Sequence, residues 1–302
     1  MFTKATKEKL FLRMAIDGPA GSGKTFTGLL IGQALAELAG GRLAVLDSEA
    51  GNAKKYADQF DFDHAPIGDE GYSPELYTHA IKAAVKAGHK VILLDSLSHA
   101  WAATGGALDQ ADKGSVRTGN KFTAWREVTP KHNTLVETIL TSPIHVLATM
   151  RSKMEYVQEK DDRGKTAIRK IGLAPVQREG MEYEFDVIGS MDMDNVMVVT
   201  KSRCSAIHGQ VIRKPGADLA GTLYGWLSSG VEAAPRLPSL LRNPHTSEAN
   251  SDSEEIAIVA ALKDVATEEE RVGLVPRIKA LAVDAQKRVK PKYVEAGQRI
   301  GA

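Results

Sequence analysis

Apolar residues in this chain fall into short blocks that alternate with helical patterns over roughly the first two hundred positions. Leu10–Asp17, Arg42–Asp47 (RLAVLD), Lys90–Asp95 (KVILLD) and Ile144–Thr149 (IHVLAT) are runs of strand length, as expected of strands buried on both faces. Between them, Lys24–Ala39 ends at Gly40-Gly41, Pro74–Ala87 ends at Gly88, and Phe122–Leu140 is a long amphipathic stretch. These predict helices, and Pro130 predicts a kink or interruption in the last. Strand and helix in alternation imply an α/β fold with a mainly parallel central sheet. Asp186–Met193 and Asn195–Lys201 then read as two strands around a tight turn, an antiparallel hairpin at the sheet edge.

Further on, Val231–Ser251 is rich in Pro, Ser, Asn and Ala and reads as a linker. Ser253–Lys263 and Glu268–Lys290 regain helical spacing, with Ser253 as an N-cap and Thr267 opening a capping box. The expected organisation is a core over 1–230, a linker over 231–252 and a small helical module over 253–302. Length and composition suit an ordinary water-soluble protein, and the net charge of +1 says nothing about partners unless basic residues cluster locally. A single cysteine, Cys204, excludes an intrachain disulfide. No apolar run is long enough to span a membrane, and Arg13 interrupts the first apolar run, against a signal peptide. The expected location is the cytoplasm. The eight histidines show no metal-ligand spacing, and the acids Glu182, Glu184, Asp186, Asp192 and Asp194 read as a solvated edge.

Chemistry enters at the end of the first strand. Gly18-Pro19-Ala20-Gly21-Ser22-Gly23-Lys24-Thr25 fits G-x-x-x-x-G-K-[ST] and stands between a strand and a helix, as that motif requires. Its glycines let successive N–H groups converge on a phosphate, Lys24 reaches the β- and γ-phosphates, and the Thr25 hydroxyl holds Mg²⁺. The motif implies a nucleoside triphosphate. Asp95, closing Val91-Ile92-Leu93-Leu94, supplies a metal-orienting carboxylate at the end of the strand where ligand crevices lie. Asp47-Ser48-Glu49 closes the second strand, and Glu49 is the candidate general base.

A P-loop strand, a second strand ending D-x-E, a third ending D-S and a fourth ending in a polar residue together resemble the RecA-like P-loop ATPases. The resemblance spans roughly residues 8–230 and looks closest to phage-type, core-only single-strand annealing ATPases. It implies ATP and Mg²⁺ as cofactors, with the fourth strand lying between the P-loop strand and the Asp95 strand. It puts Thr149 at the γ-phosphate sensor position, where bacterial RecA typically has glutamine, a departure that bears on how ATP is coupled to DNA. It aligns Lys201 and Arg203 with the basic element that reaches a neighbouring subunit's ATP. It further implies a homo-oligomer, ring or filament, acting on single-stranded DNA, with a single-stranded-DNA-binding protein as a further partner, no membrane, and a bacterial host's cytoplasm as its location.

The same resemblance places two DNA-binding loops at Trp101–Lys121 and Arg151–Gln177. Their charge agrees: Arg163, Lys165, Arg169, Lys170 and Arg178 precede any acid, and Lys113, Arg117, Lys121, Arg126 and Lys131 face Glu127 alone. Trp101, Phe122 and Tyr156 are candidate stacking residues, with ordinary packing as the other reading. The P-loop wording also resembles that of cytidylate kinases, which would make Arg163–Arg178 a lid and the protein a nucleoside-monophosphate kinase. A helicase-like motor, a helicase loader or an ATP-dependent assembly switch would share the fold.

Overall fold

A computed structural model describes residues 4–68, 70–160 and 166–231, and beyond these residues 258, 262, 278, 289 and 291–296; over 154–172 it describes backbone alone. The chain divides into two compact units, Met1–Ala233 and Ala234–Ala302. In the second, residues 291–296 are helical, and Ile258, Leu262, Ile278 and Val289 are helical and buried. The linker expected at 231–252 lies outside the described residues beyond Val231, as does most of the expected helical module.

The first unit alternates as its apolar blocks predict. β1 (Arg13–Gly18) is followed by α1 (Lys24–Leu38), β2 (Leu43–Asp47), a short β3 (Asp63–Pro66), α2 (Pro74–Lys86), β4 (Val91–Asp95), α3 (Ser98–Ala102), α4 (Ala107–Thr118) and α5 (Lys121–Thr141). Then come β5 (His145–Lys160), β6 (Thr166–Pro175), β7 (Val187–Met191), β8 (Val196–Ser202), β9 (Val211–Arg213) and α6 (Ala217–Ser228). The sheet order is β3-β2-β4-β5-β1-β7-β8-β9, with β6 pairing to β5. From β3 to β7 neighbours are parallel; β8 and β9 are antiparallel additions. The fourth core strand, β5, lies between the P-loop strand β1 and the Asp95 strand β4, as expected.

Side-chain alternation assigns each face of the sheet to its helices. Met14 and Ile16 of β1, Val45 of β2 and Leu93 of β4 pack with Leu29 and Leu35 of α1 and Leu223 of α6. Ala15, Leu46, Ile92, Leu94 and Ala148 point the other way, onto Ile81 of α2 and Leu135 and Ile139 of α5. Among the described residues no helix is long and apolar enough to cross a membrane.

The structure revises several expectations. The first strand starts at Arg13, and Leu10 and Phe11 are exposed. The interrupting Arg13 is itself buried, its guanidinium donating to the carbonyls of Leu12, Leu140, Ser142 and Ile144. It thus neutralises the carbonyl end of α5. Pro130 neither ends nor divides α5; it sits on the exposed face, where a missing N–H does least harm. The 186–201 hairpin forms, but β9 covers it, so β8 is not the edge.

The two expected loops are mostly regular structure. Trp101–Lys121 holds the end of α3 and all of α4. Ala107, Ala111 and Gly114 lie at helical spacing, and a Cβ on Gly114 would sit 3.1 Å from the Ala124 Cβ, so small residues let α4 lie close on α5. Arg151–Gln177 is mainly an antiparallel hairpin, β5 running on from the core and β6 returning, with Ser152 opposite Pro175.

Candidate functional site

β1 ends in the core and turns sharply. Gly18, Gly21 and Gly23 have φ of 156°, 84° and 83°, values that favour glycine. The loop is also closed from behind: a Cβ on Gly18 would lie 2.6 Å from the Met191 carbonyl oxygen, and one on Gly23 would lie 2.8 Å from Asn195 Nδ2. Asn195, in the β7–β8 turn, donates to the Ser22 carbonyl at 3.0 Å. Below the loop, buried Asp17 accepts from Ser152 Oγ (3.1 Å) and Ser190 Oγ (3.0 Å), which ties β1 to both flanking strands. Burial pushes the Asp17 carboxyl up, against those two hydrogen bonds and the charge of Lys24.

The first turn of α1 has N–H groups with no intrahelical acceptor, and its positive dipole end faces the loop. Lys24 Nζ donates to the Pro19 carbonyl at 2.7 Å, folding the side chain over the cradle. Burial holds Lys24 below the ordinary lysine range, with Asp95 and Glu49 pulling the other way. The Ser22 hydroxyl is buried with no partner among the described residues. An orphaned hydroxyl, three left-handed glycines and a lysine over an N-terminal turn fit a polyphosphate.

Beside the cradle, Thr25 Oγ1 donates to Asp95 Oδ2 at 2.8 Å, and Thr149 Oγ1 donates to Asp95 Oδ1. Asp95 and Thr149 are buried. Desolvation raises the Asp95 carboxyl, offset by the hydrogen bonds from Thr149 and Thr25. A hydroxyl and a carboxylate side by side are hard oxygen donors that suit a hydrated Mg²⁺. No cluster of three or more His, Cys, Asp or Glu side chains able to hold a metal exists among the described residues.

Glu49 follows β2, which β4 and β5 separate from the P-loop strand. Its carboxylate is held in a fork by Arg151, with Nε to Oε1 at 3.0 Å and Nη2 to Oε2 at 2.5 Å. His99 Nε2 lies 3.8 Å from Oε1. Burial alone would raise Glu49, but the bonds and charge of Arg151 outweigh it and leave the carboxyl below the usual range. The floor is polar and connected: Ser48 Oγ accepts from the Ser96 N–H (2.7 Å) and lies 2.8 Å from His99 Nδ1, and Tyr77 OH donates to the Ser96 carbonyl (2.8 Å).

Of the sequence-predicted residues, the structure brings Gly18–Thr25, Asp95 and Thr149 together, with Glu49 near enough for its charge to act on Lys24. It does not bring Lys201 and Arg203 to this chain's P-loop. Ser202 pairs with Val187 at the start of β7, whereas Asp17 pairs with Ser190 near its end. Lys201 Nζ donates to the carbonyls of Glu182 and Tyr183, and Arg203 pairs with Asp186 at 3.1 Å. Lys113 and Arg117 lie on α4, paired with Asp109 (2.7 Å) and Glu127 (2.5 Å), and Lys121 opens α5. Arg163 and Lys165 lie outside the described residues, as do the side chains of Arg169, Lys170 and Tyr156. The sequence reading missed the partnership of Arg151 with Glu49 and the bracing of the loop by Asp17 and Asn195. An acid ending an apolar strand just before the glycines was the one available signal.

Residues 10–213, more than half of the chain, match the family described as AAA domain. Among solved structures, the chain is similar to a KaiC-like protein from the hyperthermophilic archaeon Pyrococcus horikoshii OT3, with 17% identity and a TM-score of 0.38 over 70% of this chain and 97% of that one. None of the curated proteins compared matches it.

Proposed function

The chain belongs to the AAA domain family of P-loop ATPases, and from that premise we propose that it hydrolyses ATP as a homo-oligomer on single-stranded DNA, annealing or recombining strands in the manner of the phage-type ATPases it resembles. One observation carries the reading. A single strand, β5, bears Thr149 against Asp95 and Arg151 against Glu49, then leaves the core as the β5–β6 hairpin whose sequence is basic. A ligand that moves the hairpin therefore acts on the residues around the phosphates through one continuous backbone.

In this reading Gly18–Thr25 hold the phosphates, Thr25 and Asp95 hold Mg²⁺, and the bound cation supplies charge neutralisation at the phosphates. Thr149 reports on the site through Asp95. Glu49 accepts the proton of the attacking water once Arg151 is drawn away from it. Lys201 and Arg203, at the far end of the sheet, serve the site of an adjacent copy. Arg163, Lys165, Arg169 and Lys170 hold the DNA backbone, with α4 and the start of α5 adding Lys113, Arg117 and Lys121 at the rim. A single-stranded-DNA-binding protein remains the proposed further partner.

Replacing Lys165, Arg169 and Lys170 by alanine tests this. Oligonucleotide binding should weaken, and its log–log salt slope should fall by about 0.7 for each phosphate that the protein no longer neutralises. Unchanged affinity and slope would remove the DNA assignment. Unwinding of duplex, without annealing of complementary strands, would give the protein to the helicase-like reading instead.

A further inference from the structure

We propose that a cleft between Trp101 and Trp125 on one side and Arg178–Tyr183 on the other takes a nucleobase of the single strand. It rests on the DNA reading above and goes beyond it by naming where a base is held. The cleft has a volume of about 540 Å³, ample for a base with its sugar. Trp101 and Trp125 are lined up as a step, ring centroids 5.8 Å apart and tilted by 32°. Trp101 is braced by the edge of buried His132, 5.4 Å away, and both indoles pack against Ala107, Ala111 and Val128. Neither indole N–H has an acceptor among the described residues.

The facing wall is held in place from below. Lys201 Nζ donates to the carbonyls of Glu182 and Tyr183 at 2.8 Å each and stands 5.9 Å from the Tyr183 ring centroid. Tyr183 nevertheless keeps 71% of its surface exposed, so its ring is open to a stacking partner. Gln177 Nε2 bonds the Leu97 carbonyl at 3.1 Å, so this wall begins at the foot of the hairpin, where Pro175 pairs with Ser152.

Charge selects what enters. The Arg178 guanidinium makes one hydrogen bond, to Asn133 Oδ1 at 3.3 Å, and no ion pair among the described residues, so it can meet a phosphate. Glu179 and Glu182 belong to the same lining; their carboxylates repel phosphate but accept the N–H groups of a base edge. Stacking surfaces, carboxylate acceptors and one cation in a single lining describe a site for an unpaired base rather than for duplex or backbone.

The protein has three tryptophans, and Trp226 belongs to the other face of the sheet, so intrinsic fluorescence reads the cleft directly. Oligo-dC and, separately, dCMP would be titrated into the full chain, with strand binding followed independently by anisotropy of a labelled oligonucleotide. Both titrations should quench emission. Trp226→Phe should leave the quench intact, and Tyr183→Ala, at an exposed position, should weaken oligo-dC binding about five-fold or more. Trp125→Phe should remove most of the signal. Strand binding without quenching, and equal in Tyr183→Ala, would overturn the cleft while leaving the DNA reading in place. If the strand does not bind, the DNA reading fails, and dCMP decides the cleft alone: quenching lost in Tyr183→Ala supports it, no quenching ends it. Emission that changes with protein concentration alone, and not with Tyr183→Ala, would assign the cleft to a second copy and overturn the proposal.

Discussion

Arg151→Ala should raise ATP turnover measured without DNA. Arg151 closes a two-bond fork on Glu49, and a carboxylate so held is unavailable to a water molecule. The Arg151 side chain is 52% exposed and that of Glu49 21%, so solvent screens the pair. Exposed pairs contribute about 0.2–1 kcal/mol, and the fork geometry puts this one near the top, about 1 kcal/mol. Lifting that restraint frees Glu49 roughly five-fold more often, by the rule that about 1.4 kcal/mol is ten-fold. Phosphate release at saturating ATP should rise by about that factor, and stimulation by DNA should shrink to match. The pH profile adds a second readout. Arg151 holds Glu49 below its usual range, so removing it moves the acid limb of kcat to higher pH. Arg151→Lys, which keeps the charge but not the fork, should fall between. Turnover that is unchanged or lower, with the acid limb unmoved, refutes the restraint.

Glu49→Gln should cut turnover by about 10²–10⁴-fold while leaving binding of a fluorescent ATP analogue intact; equal losses of both would show that the residue shapes the site instead. Gly18→Ala places a Cβ 2.6 Å from the Met191 carbonyl at a φ of 156°, so the variant should lose nucleotide binding and melt earlier in a thermal scan. Buried His145 accepts from the Leu12 N–H at 3.0 Å, and burial lowers it to about 4. The unfolded chain therefore takes up this proton first as pH falls through about 6.5, while the fold takes it up only near 4. Stability in urea should thus decline across that window by about 3 kcal/mol, and His145→Asn should flatten the slope. Lys201→Ala should impair hydrolysis in the assembled protein and leave dilute monomer unaffected, as sedimentation and phosphate release under both conditions would show.

Much of the core is legible along the chain because its signals are local. Val91-Ile92-Leu93-Leu94-Asp95 announces a buried strand with an acid at its mouth, and β4 is that strand. Less legible were segments whose structure depends on close neighbours. α4 has few large apolar residues, and its helix packs through Ala107, Ala111 and Gly114 onto α5, a packing that hydropathy along the chain does not register. The polar run after Thr149 looked like a loop because it holds no apolar block; long-range pairing of β5 with β6 is what makes it a hairpin.

The phosphate cradle was determined by sequence alone, since eight consecutive residues set its backbone angles and the helix that follows sets its dipole. What surrounds it was decided only by tertiary structure. Glu49 and Arg151 stand 102 positions apart, and Thr149 and Asp95 stand 54 apart. They meet because β2, β4, β5 and β1 lie side by side in parallel and end at one edge. The antiparallel course of β8 carries Lys201 and Arg203 to the opposite end, away from the phosphates they would serve in another copy. Residue types near the site can be read from local pattern; which of them restrains which follows from strand order, a property of long-range pairing that spacing in the chain does not encode.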